Sequence, residues 1–446
     1  MVKKLTPHSL LNKAKPSRNI IENILWLFLD KFLRMGLGVF VVIWMARYFG
    51  PEKFGLFNYT TALIALFGAF SGLGLNAIMT RDLVVKAERG EILGTALVIR
   101  LLSSLIAYVG LIISIFLLRK GEDITQYLIF IMGITLLFNS SDIIKFWFES
   151  QILSKYTVFV ENCVFFVSAS VKLLLIYFEA PLIAFAYAVL AEAVFVFFGL
   201  FWIYSKRGSK ERLSFSLKQA KYLFSQSWPL IISSAAWIIY TKIDQIMIGQ
   251  MLDDNKVGLY SAASKLSEIA NFFPAVIAFS FIPMILKLKE KDREKYERYF
   301  QNLYYLVITL TIIVAIFVTS ISGGVISLLY GESFSGSEKV LSIHFWIVVL
   351  VALATISGRY LVNDNLQKLT MKRHLLGVCL NIPFNYIAIQ KYGINGAAYA
   401  SLLSLFIANY VFDALDRQTR TVFMHKTKAL SFFWIYELFI SKNSRK

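Results

Sequence analysis

The chain has 446 residues, 57% of them hydrophobic and 15% aromatic, with a mean hydropathy of +0.62. A soluble protein of this length cannot bury so much apolar surface, so the composition excludes a water-soluble globular protein and favours an integral membrane protein. The formal net charge of +18 is also typical of nucleic-acid-binding proteins. Its distribution along the chain favours membrane topology instead, and no nucleic-acid partner is expected.

Apolar segments follow one another along almost the whole chain. A helix needs about 20 mostly apolar residues to cross a bilayer. Twelve segments come close to or exceed that length, at residues 21–46, 55–79, 92–118, 125–148, 157–178, 182–204, 225–250, 257–285, 302–329, 340–361, 374–390 and 393–412. We therefore predict an all-α, polytopic membrane protein of about 12 transmembrane helices. The last apolar run, Ala429–Ile440, is too short to span and predicts an amphipathic helix at the membrane surface.

Two short echoes indicate an internal repeat. Phe54-Gly55-Leu56-Phe57-Asn58-Tyr59 resembles Val257-Gly258-Leu259-Tyr260-Ser261-Ala262, and Ala184-Phe185-Ala186-Tyr187-Ala188 resembles Gly396-Ala397-Ala398-Tyr399-Ala400. Parallel repeats are a recurrent plan among transporters, with the substrate site between the halves. We therefore predict two six-helix lobes. The predicted divisions are a basic N-terminal segment 1–20, a lobe 21–205, a basic linker 206–224, a lobe 225–412 and a basic tail 413–446 that carries the short amphipathic helix.

Basic residues are distributed unevenly between the joints of the spans. The N-terminus, the even-numbered joints and the C-terminus hold 31 Lys and Arg residues, whereas the odd-numbered joints hold 7. Short cytoplasmic loops carry the excess of positive charge in membrane proteins. Both termini, with the basic joints 206–221 and 287–298, are therefore predicted to face the cytoplasm of a bacterial inner membrane.

Several ionisable residues fall within the predicted spans, where a charge is costly unless it faces protein or a water-filled cavity. Basic residues there suit an anionic substrate such as a phosphate or pyrophosphate. The candidate substrate-binding residues are Lys31, Arg34, Arg100, Lys242 and Arg359. By contrast, Lys145 with Asp142 and Lys265 with Glu268 are spaced i,i+3, which favours local neutralisation within one helix.

Transport against a gradient needs an energy source, and the chain contains no phosphate-binding loop of the GxxxxGK[ST] form. Coupling to an H⁺ or Na⁺ gradient is expected instead, with no bound cofactor. The candidate ion-coupling residues are Asp30, Asp244, Glu161, Glu192, Asn381 and Asn385. Asn381 and Asn385 are spaced i,i+4, so they either complete an oxygen cage for Na⁺ with Asp244 or hydrogen-bond between helices.

Enzymatic function is not favoured. The four histidines, His8, His344, His374 and His425, are scattered, which indicates neither a metal site nor an acid–base cluster. The odd-numbered joints are also short, and a membrane glycosyltransferase or polymerase would need a larger catalytic loop. A transporter is therefore the predicted class, with membrane lipids among its partners.

Two regions of the chain resemble a known family. The first is Ala46-Arg47-Tyr48-Phe49-Gly50-Pro51-Glu52-Lys53-Phe54-Gly55-Leu56-Phe57, followed by Gly72-Leu73-Gly74-Leu75 and Thr80-Arg81-Asp82. The second is Lys242-Ile243-Asp244-Gln245-Ile246-Met247-Ile248-Gly249, followed by Val257-Gly258-Leu259-Tyr260 with Pro274 and Pro283. Both are similar to the Wzx-type flippases of polysaccharide and O-antigen biosynthesis, in the multidrug, oligosaccharidyl-lipid and polysaccharide exporter superfamily.

The resemblance implies two six-helix lobes in a V, alternating access, and translocation of a polyprenyl-pyrophosphate-linked oligosaccharide from the cytoplasmic to the outer leaflet. Other polysaccharide assembly proteins would then be partners. Two alternatives remain open at this stage. One is a drug or cation antiporter of the same superfamily, and the other is a membrane glycan polymerase or transferase.

Overall fold

The computed structural model of the chain describes residues 18–86, 88–208, 211–286, 288–289, 291–364 and 366–431. The side chains of residues 27–32 are outside this description, and the candidates Asp30 and Lys31 are among them. Most of the predicted tail helix at Ala429–Ile440 also lies outside the described residues.

All regular elements of the described ranges are helical, which confirms the all-α prediction. The α-helices are α1 (Arg18–Ser71), α2 (Asn76–Val85), α3 (Arg89–Leu118), α4 (Asp123–Gly133), α5 (Thr135–Phe138), α6 (Asp142–Ser150), α7 (Lys155–Tyr177), α8 (Leu182–Arg207), α9 (Leu217–Met251), α10 (Asp254–Ala270), α11 (Phe272–Leu286), α12 (Arg293–Tyr330), α13 (Glu338–Asn363), α14 (Gln367–Phe406), α15 (Phe412–Leu415) and α16 (Arg420–Leu430). Short 3₁₀ turns lie at Asn139–Ser141, Glu332–Phe334 and Arg417–Thr419, and a π-helical turn lies at Ile407–Val411.

Ten helical stretches of the described residues are long and apolar enough to cross a membrane. Two of them contain a break at a glycine, Gly50 in α1 (φ 69°) and Gly393 in α14 (φ 58°). A positive φ costs glycine little and other residues more, which explains the residue type at both breaks. Because each break divides one stretch into two segments, the ten stretches overlap the twelve predicted spans in order, although the predicted span 21–46 begins before the first stretch, Leu33–Ser71, and the predicted span 55–79 extends beyond it.

The helix boundaries differ from the predicted spans for identifiable reasons. Helices α9 and α12 begin at Leu217 and Arg293, several residues before the predicted spans, because their first turns are polar and add nothing to an apolar run. The predicted span 257–285 is two helices separated at Asn271. Pro274 lacks a backbone N–H and crowds the carbonyl four residues earlier, that of Ala270, where α10 ends.

The chain divides into two compact units. Unit 1 comprises the described residues of 1–42, 70–113 and 127–230, and unit 2 comprises those of 43–69, 114–126 and 231–446. The predicted lobes, 21–205 and 225–412, follow chain order and stay a prediction.

Within unit 2, the two copies of the first sequence echo contact each other. A β-carbon added to Gly55 would lie 1.7 Å from the carbonyl oxygen of Asp254, and one added to Gly258 would lie 1.9 Å from that of Pro51. Neither separation is sterically allowed, so both positions require glycine. The echo therefore marks a backbone-to-backbone contact between α1 and α10.

The C-terminal helix α16 is anchored in unit 2 by buried charges. Asp413 accepts hydrogen bonds from Arg373 and from Lys426, whose Nζ lies 2.8 Å from Asp413 Oδ2, and all three side chains are fully buried. Burial lowers the pKa of Lys426 to about 7. His425 Nε2 lies 2.9 Å from Glu297 on α12. The tail therefore docks on the transmembrane helices through polar contacts that hydropathy does not reveal.

Asp413→Asn should destabilise the protein by about 3–5 kcal/mol, because Arg373 stays protonated and would lose its only buried carboxylate partner in the described chain. A thermal melt of the purified protein in detergent measures this. Lys426→Met is the control, since it leaves the Arg373–Asp413 pair intact and should cost much less. A melting temperature of Asp413→Asn equal to that of the unmodified protein would contradict the anchoring role.

Candidate functional site

Unit 1 contains a line of five charged side chains contributed by four helices. Arg34 on α1 donates to Glu161 on α7 at 2.9 Å, and Glu161 also pairs with Lys145 on α6. Lys145 lies 2.8 Å from Asp142, whose other oxygen accepts from Arg100 on α3 at 2.7 Å. The line joins three basic to two acidic residues, and each charge within it has an opposite charge as neighbour.

The line brings together Arg34, Arg100 and Glu161, three of the candidates from sequence. The predicted Lys145–Asp142 pair is confirmed, but Glu161 extends it across to another helix. Arg34 and Arg100 are therefore each paired with a carboxylate. The cost of a lone charge in a span explains the pairing. The Arg34 side chain remains 33% exposed, so it is the accessible end of the line.

The candidate Glu192 lies apart from this line on α8. It accepts from Lys172 at 2.8 Å and from Ser168 at 2.5 Å, and both donors lie on α7. These contacts join α7 to α8. Whether Glu192 also takes part in ion coupling stays a prediction.

Unit 2 contains a buried carboxylate, Asp244 on α9. Asp244 Oδ2 accepts from the hydroxyls of Tyr260 at 2.5 Å and Ser401 at 2.6 Å, and Oδ1 accepts from Asn385 Nδ2 at 2.8 Å. Asn385 Nδ2 also donates to Asn381 Oδ1 at 3.0 Å. The structure thus brings the candidates Asp244, Asn381 and Asn385 together.

The surroundings of Asp244 contain several oxygen atoms and one buried oxygen without a partner. Asn385 Oδ1 makes no hydrogen bond with any described residue, although Asn385 is fully buried. Carboxylate, amide and hydroxyl oxygens are the ligands that hard cations such as Na⁺ prefer. The donor set therefore fits Na⁺, while the same contacts also join α9, α10 and α14. Both alternatives raised by the sequence are compatible with this geometry.

Sequence reasoning missed two members of this cluster, Tyr260 and Ser401. Tyr260 belongs to the copy of the first echo in the second half, and Ser401 directly follows the second echo. The echoes predict a repeat, and they also lie at or next to Tyr260 and Ser401, two of the four residues in the hydrogen-bonded cluster around Asp244.

A second group of charges in unit 2 corrects another expectation. Lys242 Nζ lies 2.8 Å from Glu268 Oε1, so Glu268 pairs across helices and not with Lys265 on its own helix. The i,i+3 spacing allowed the local pair, but Glu268 takes the cation of α9 instead. Lys265 forms no ion pair or hydrogen bond through its ammonium group with any residue in the described part of the chain.

The last candidate, Arg359, lies half-buried on α13, four residues before the helix ends at Asn363. Its role in substrate binding stays a prediction, as do the roles of the other candidates.

Comparison with known proteins gives two family matches. The family described as "Polysaccharide biosynthesis protein" matches residues 20–289, which is more than half of the chain. The family described as "MatE" matches residues 229–387.

Two curated relatives match most of their own length. The chain is 25% identical over 393 residues to the "Probable low-salt glycan biosynthesis flippase Agl15" of Haloferax volcanii, covering 87% of this chain and 81% of the relative. It is 20% identical over 394 residues to the "Capsular polysaccharide biosynthesis protein CapF" of Staphylococcus aureus, covering 87% and 97%.

Among solved structures, the chain is similar to the "Lipid II flippase MurJ, inward closed conformation", with a TM-score of 0.70 and 15% identity over 93% of this chain and 92% of that one. At this identity the likeness shows the fold alone. It confirms a polytopic all-α transporter fold.

Asp244→Asn should abolish any stabilisation by Na⁺, because the amide keeps the size of the side chain and removes the charge that would attract a cation. The measurement compares melting temperatures in NaCl and in choline chloride at equal ionic strength. We expect Na⁺ to raise the melting temperature of the unmodified protein and not that of Asp244→Asn. Equal responses of the two proteins would remove Asp244 from an Na⁺ site.

Proposed function

We propose, because this chain belongs to the polysaccharide biosynthesis protein family, that it is a flippase for a polyprenyl-pyrophosphate-linked oligosaccharide. The lipid-linked sugar would pass from the cytoplasmic to the outer leaflet for the synthesis of a surface polysaccharide such as O-antigen, capsule or exopolysaccharide. The single observation that carries this proposal is the match over 87% of the chain to relatives named for glycan flipping and capsule synthesis.

The charges inside the helices support an anionic cargo. Arg34 is the accessible end of the line of charges in unit 1, and in unit 2 Lys242 and Lys265 share one carboxylate, that of Glu268, which leaves an excess of one positive charge. A pyrophosphate can accept a bidentate hydrogen bond from Arg and a point-charge contact from Lys. Lys31, Arg100, Lys242 and Arg359 remain candidates for the same role.

Ion coupling is proposed at the Asp244 cluster. Asp244, Asn381 and Asn385 would hold Na⁺ through their oxygen atoms, with Ser401 and Tyr260 completing the set. Coupling to H⁺ through Asp244, Asp30, Glu161 or Glu192 is the alternative. No bound cofactor is part of this proposal.

The protein is a multi-pass membrane protein, and we place it in the cytoplasmic membrane with both termini in the cytoplasm. The uneven distribution of Lys and Arg between the joints supports this orientation. Membrane lipids and other polysaccharide assembly proteins would be its partners, and it would act as a transporter and not as an enzyme.

A drug or cation antiporter is the second candidate, because the MatE family matches residues 229–387. The two functions differ in the charge of the cargo. Cationic dyes should compete for the site of an antiporter and should leave the flipping of a lipid-linked glycan unchanged. A polymerase or transferase would instead create a new glycosidic bond, which product analysis detects.

Arg34→Ala should reduce flipping of a polyprenyl-pyrophosphate glycan by at least about tenfold, since it removes the accessible cation while Glu161 keeps Lys145 as its partner. The flipping rate is measured in proteoliposomes that contain a fluorescent lipid-linked glycan. A quencher added outside quenches the fluorescence of the glycan that reaches the outer leaflet. Arg34→Lys is the charge-conserving control and should retain part of the activity.

Two outcomes would contradict the proposal. Unchanged flipping by Arg34→Ala would make this cation structural. Failure of the unmodified protein to flip any polyprenyl-pyrophosphate glycan, together with transport of a small cation, would favour the antiporter.

A further inference from the structure

Unit 2 contains an apolar groove of about 560 Å³ that none of the proposed roles above uses. Four helices line it, with Leu266 and Ile269 on α10, Phe273 and Ile277 on α11, one face of α12 that includes Val307, Val314 and Phe317, and Phe345 with Val348 on α13. Thr311 is the only polar residue among those that line it, and its hydroxyl donates to backbone carbonyls of its own helix. The groove is therefore a hydrocarbon-like surface.

The groove passes the break between α10 and α11 at Asn271, where Pro274 interrupts the helix. The lining segment of α12, residues 307–318, is about 17 Å long at 1.5 Å per residue. Phe273 and Phe317 on its rim are 65% and 61% exposed, so the groove opens on the surface of the protein. Its shape suits an extended hydrocarbon chain.

An apolar groove in a membrane protein is filled by some hydrocarbon in any case, because lipid tails are as apolar as the side chains. Apolar contacts alone therefore give little preference for one lipid over another. A preference requires a polar feature beside the groove.

Lys265 supplies that feature. It directly precedes Leu266 on α10 and lies one turn before Ile269, and both of these residues line the groove. The nearby Lys242 and Glu268 neutralise each other at 2.8 Å. Glu268 is the carboxylate that both Lys242 and Lys265 share, so these three side chains together keep an excess of one positive charge beside the groove.

The depth of Lys265 distinguishes between lipids. It is the twelfth residue of the stretch Asp254–Leu286, about 16 Å from its start along the helix axis. The phosphates of bulk phospholipids stay at the membrane interface, whereas the headgroup of a lipid in transit crosses the hydrocarbon region. A cation at this depth is suited to a lipid that is being translocated.

We infer that the groove binds the polyprenyl chain of the lipid-linked substrate and that Lys265 contacts its pyrophosphate. This inference rests on the proposed function and assigns separate parts of unit 2 to the tail and the headgroup. Lys265 is thus a headgroup-binding residue, with Val314 and Phe317 among the residues that contact the chain.

The test measures binding of two diphosphates to the purified protein in detergent, a long-chain polyprenyl diphosphate and geranyl diphosphate, whose chain has two isoprene units. Val314→Trp fills the groove from α12, and Val314 is 46% exposed, so the larger ring avoids the core. Ile313→Trp is the matched control, because Ile313 is the neighbouring residue, is 58% exposed and does not line the groove.

Val314→Trp should weaken binding of the long-chain diphosphate by about tenfold or more, through lost apolar contact, and leave geranyl diphosphate unchanged. Ile313→Trp should change neither. Lys265→Gln should weaken both ligands, and Lys265→Arg should restore them. Melting temperatures of the variants confirm that each is folded.

Equal binding of the long-chain diphosphate by Val314→Trp and Ile313→Trp would overturn the groove assignment. So would its displacement by phosphatidylglycerol at equal concentration, since any acyl chain would then serve. Flipping by the unmodified protein separates this inference from the function itself. If that protein flips lipid-linked glycan while Val314→Trp and Lys265→Gln bind and flip as it does, only this inference fails.

Discussion

Charge inside a bilayer has to be neutralised, and in this protein the neutralisation is done between helices. Glu161 joins α1, α6 and α7, Glu268 joins α9 and α10, and Asp244 joins α9, α10 and α14. Lipid tails provide no hydrophobic force that would press apolar helices together, so such polar contacts contribute to the specificity of helix packing. The residues that hold each unit together therefore include candidates for the proposed ion coupling. A substitution at any of them is expected to affect packing and transport together.

The buried acidic residues of the two units have different kinds of partner. Glu161 in unit 1 pairs with two cations, whereas among the described residues Asp244 in unit 2 accepts only from uncharged donors, two hydroxyls and one amide. A carboxylate already paired with Arg and Lys has little attraction left for a small cation. A buried carboxylate among hydroxyls and amides retains that attraction, since its negative charge is stabilised by dipoles alone. On electrostatic grounds, Asp244 is therefore a better candidate than Glu161 for the proposed ion coupling.

Much of the fold could be predicted from sequence because hydropathy reports directly on membrane burial. The order of the spans and the Asn381–Asn385 contact followed from apolar runs and from i,i+4 spacing. Contacts between helices could not be predicted, because spacing along a helix says nothing about the neighbouring helix. Glu268 is the clearest example, since two lysines were within reach and the one on the other helix is its partner. Hydropathy did not predict the docking of α16 either, because a lysine has the same low hydropathy whether it is buried, as Lys426 is, or exposed in a tail.

The sequence echoes show how a similar pattern can have two physical causes. Gly55 and Gly258 belong to the two copies of the first echo, and each lies against the backbone of the other helix, so one steric constraint explains both. In the second echo, a β-carbon on Gly396 would lie 2.0 Å from the carbonyl oxygen of Ala388, on the other side of the break at Gly393. Its counterpart Ala184 lies in the first turn of α8, which begins after Pro181, and glycine is not required at that position. The first echo is therefore a packing motif between two helices, whereas the glycine of the second serves a tight turn within one half.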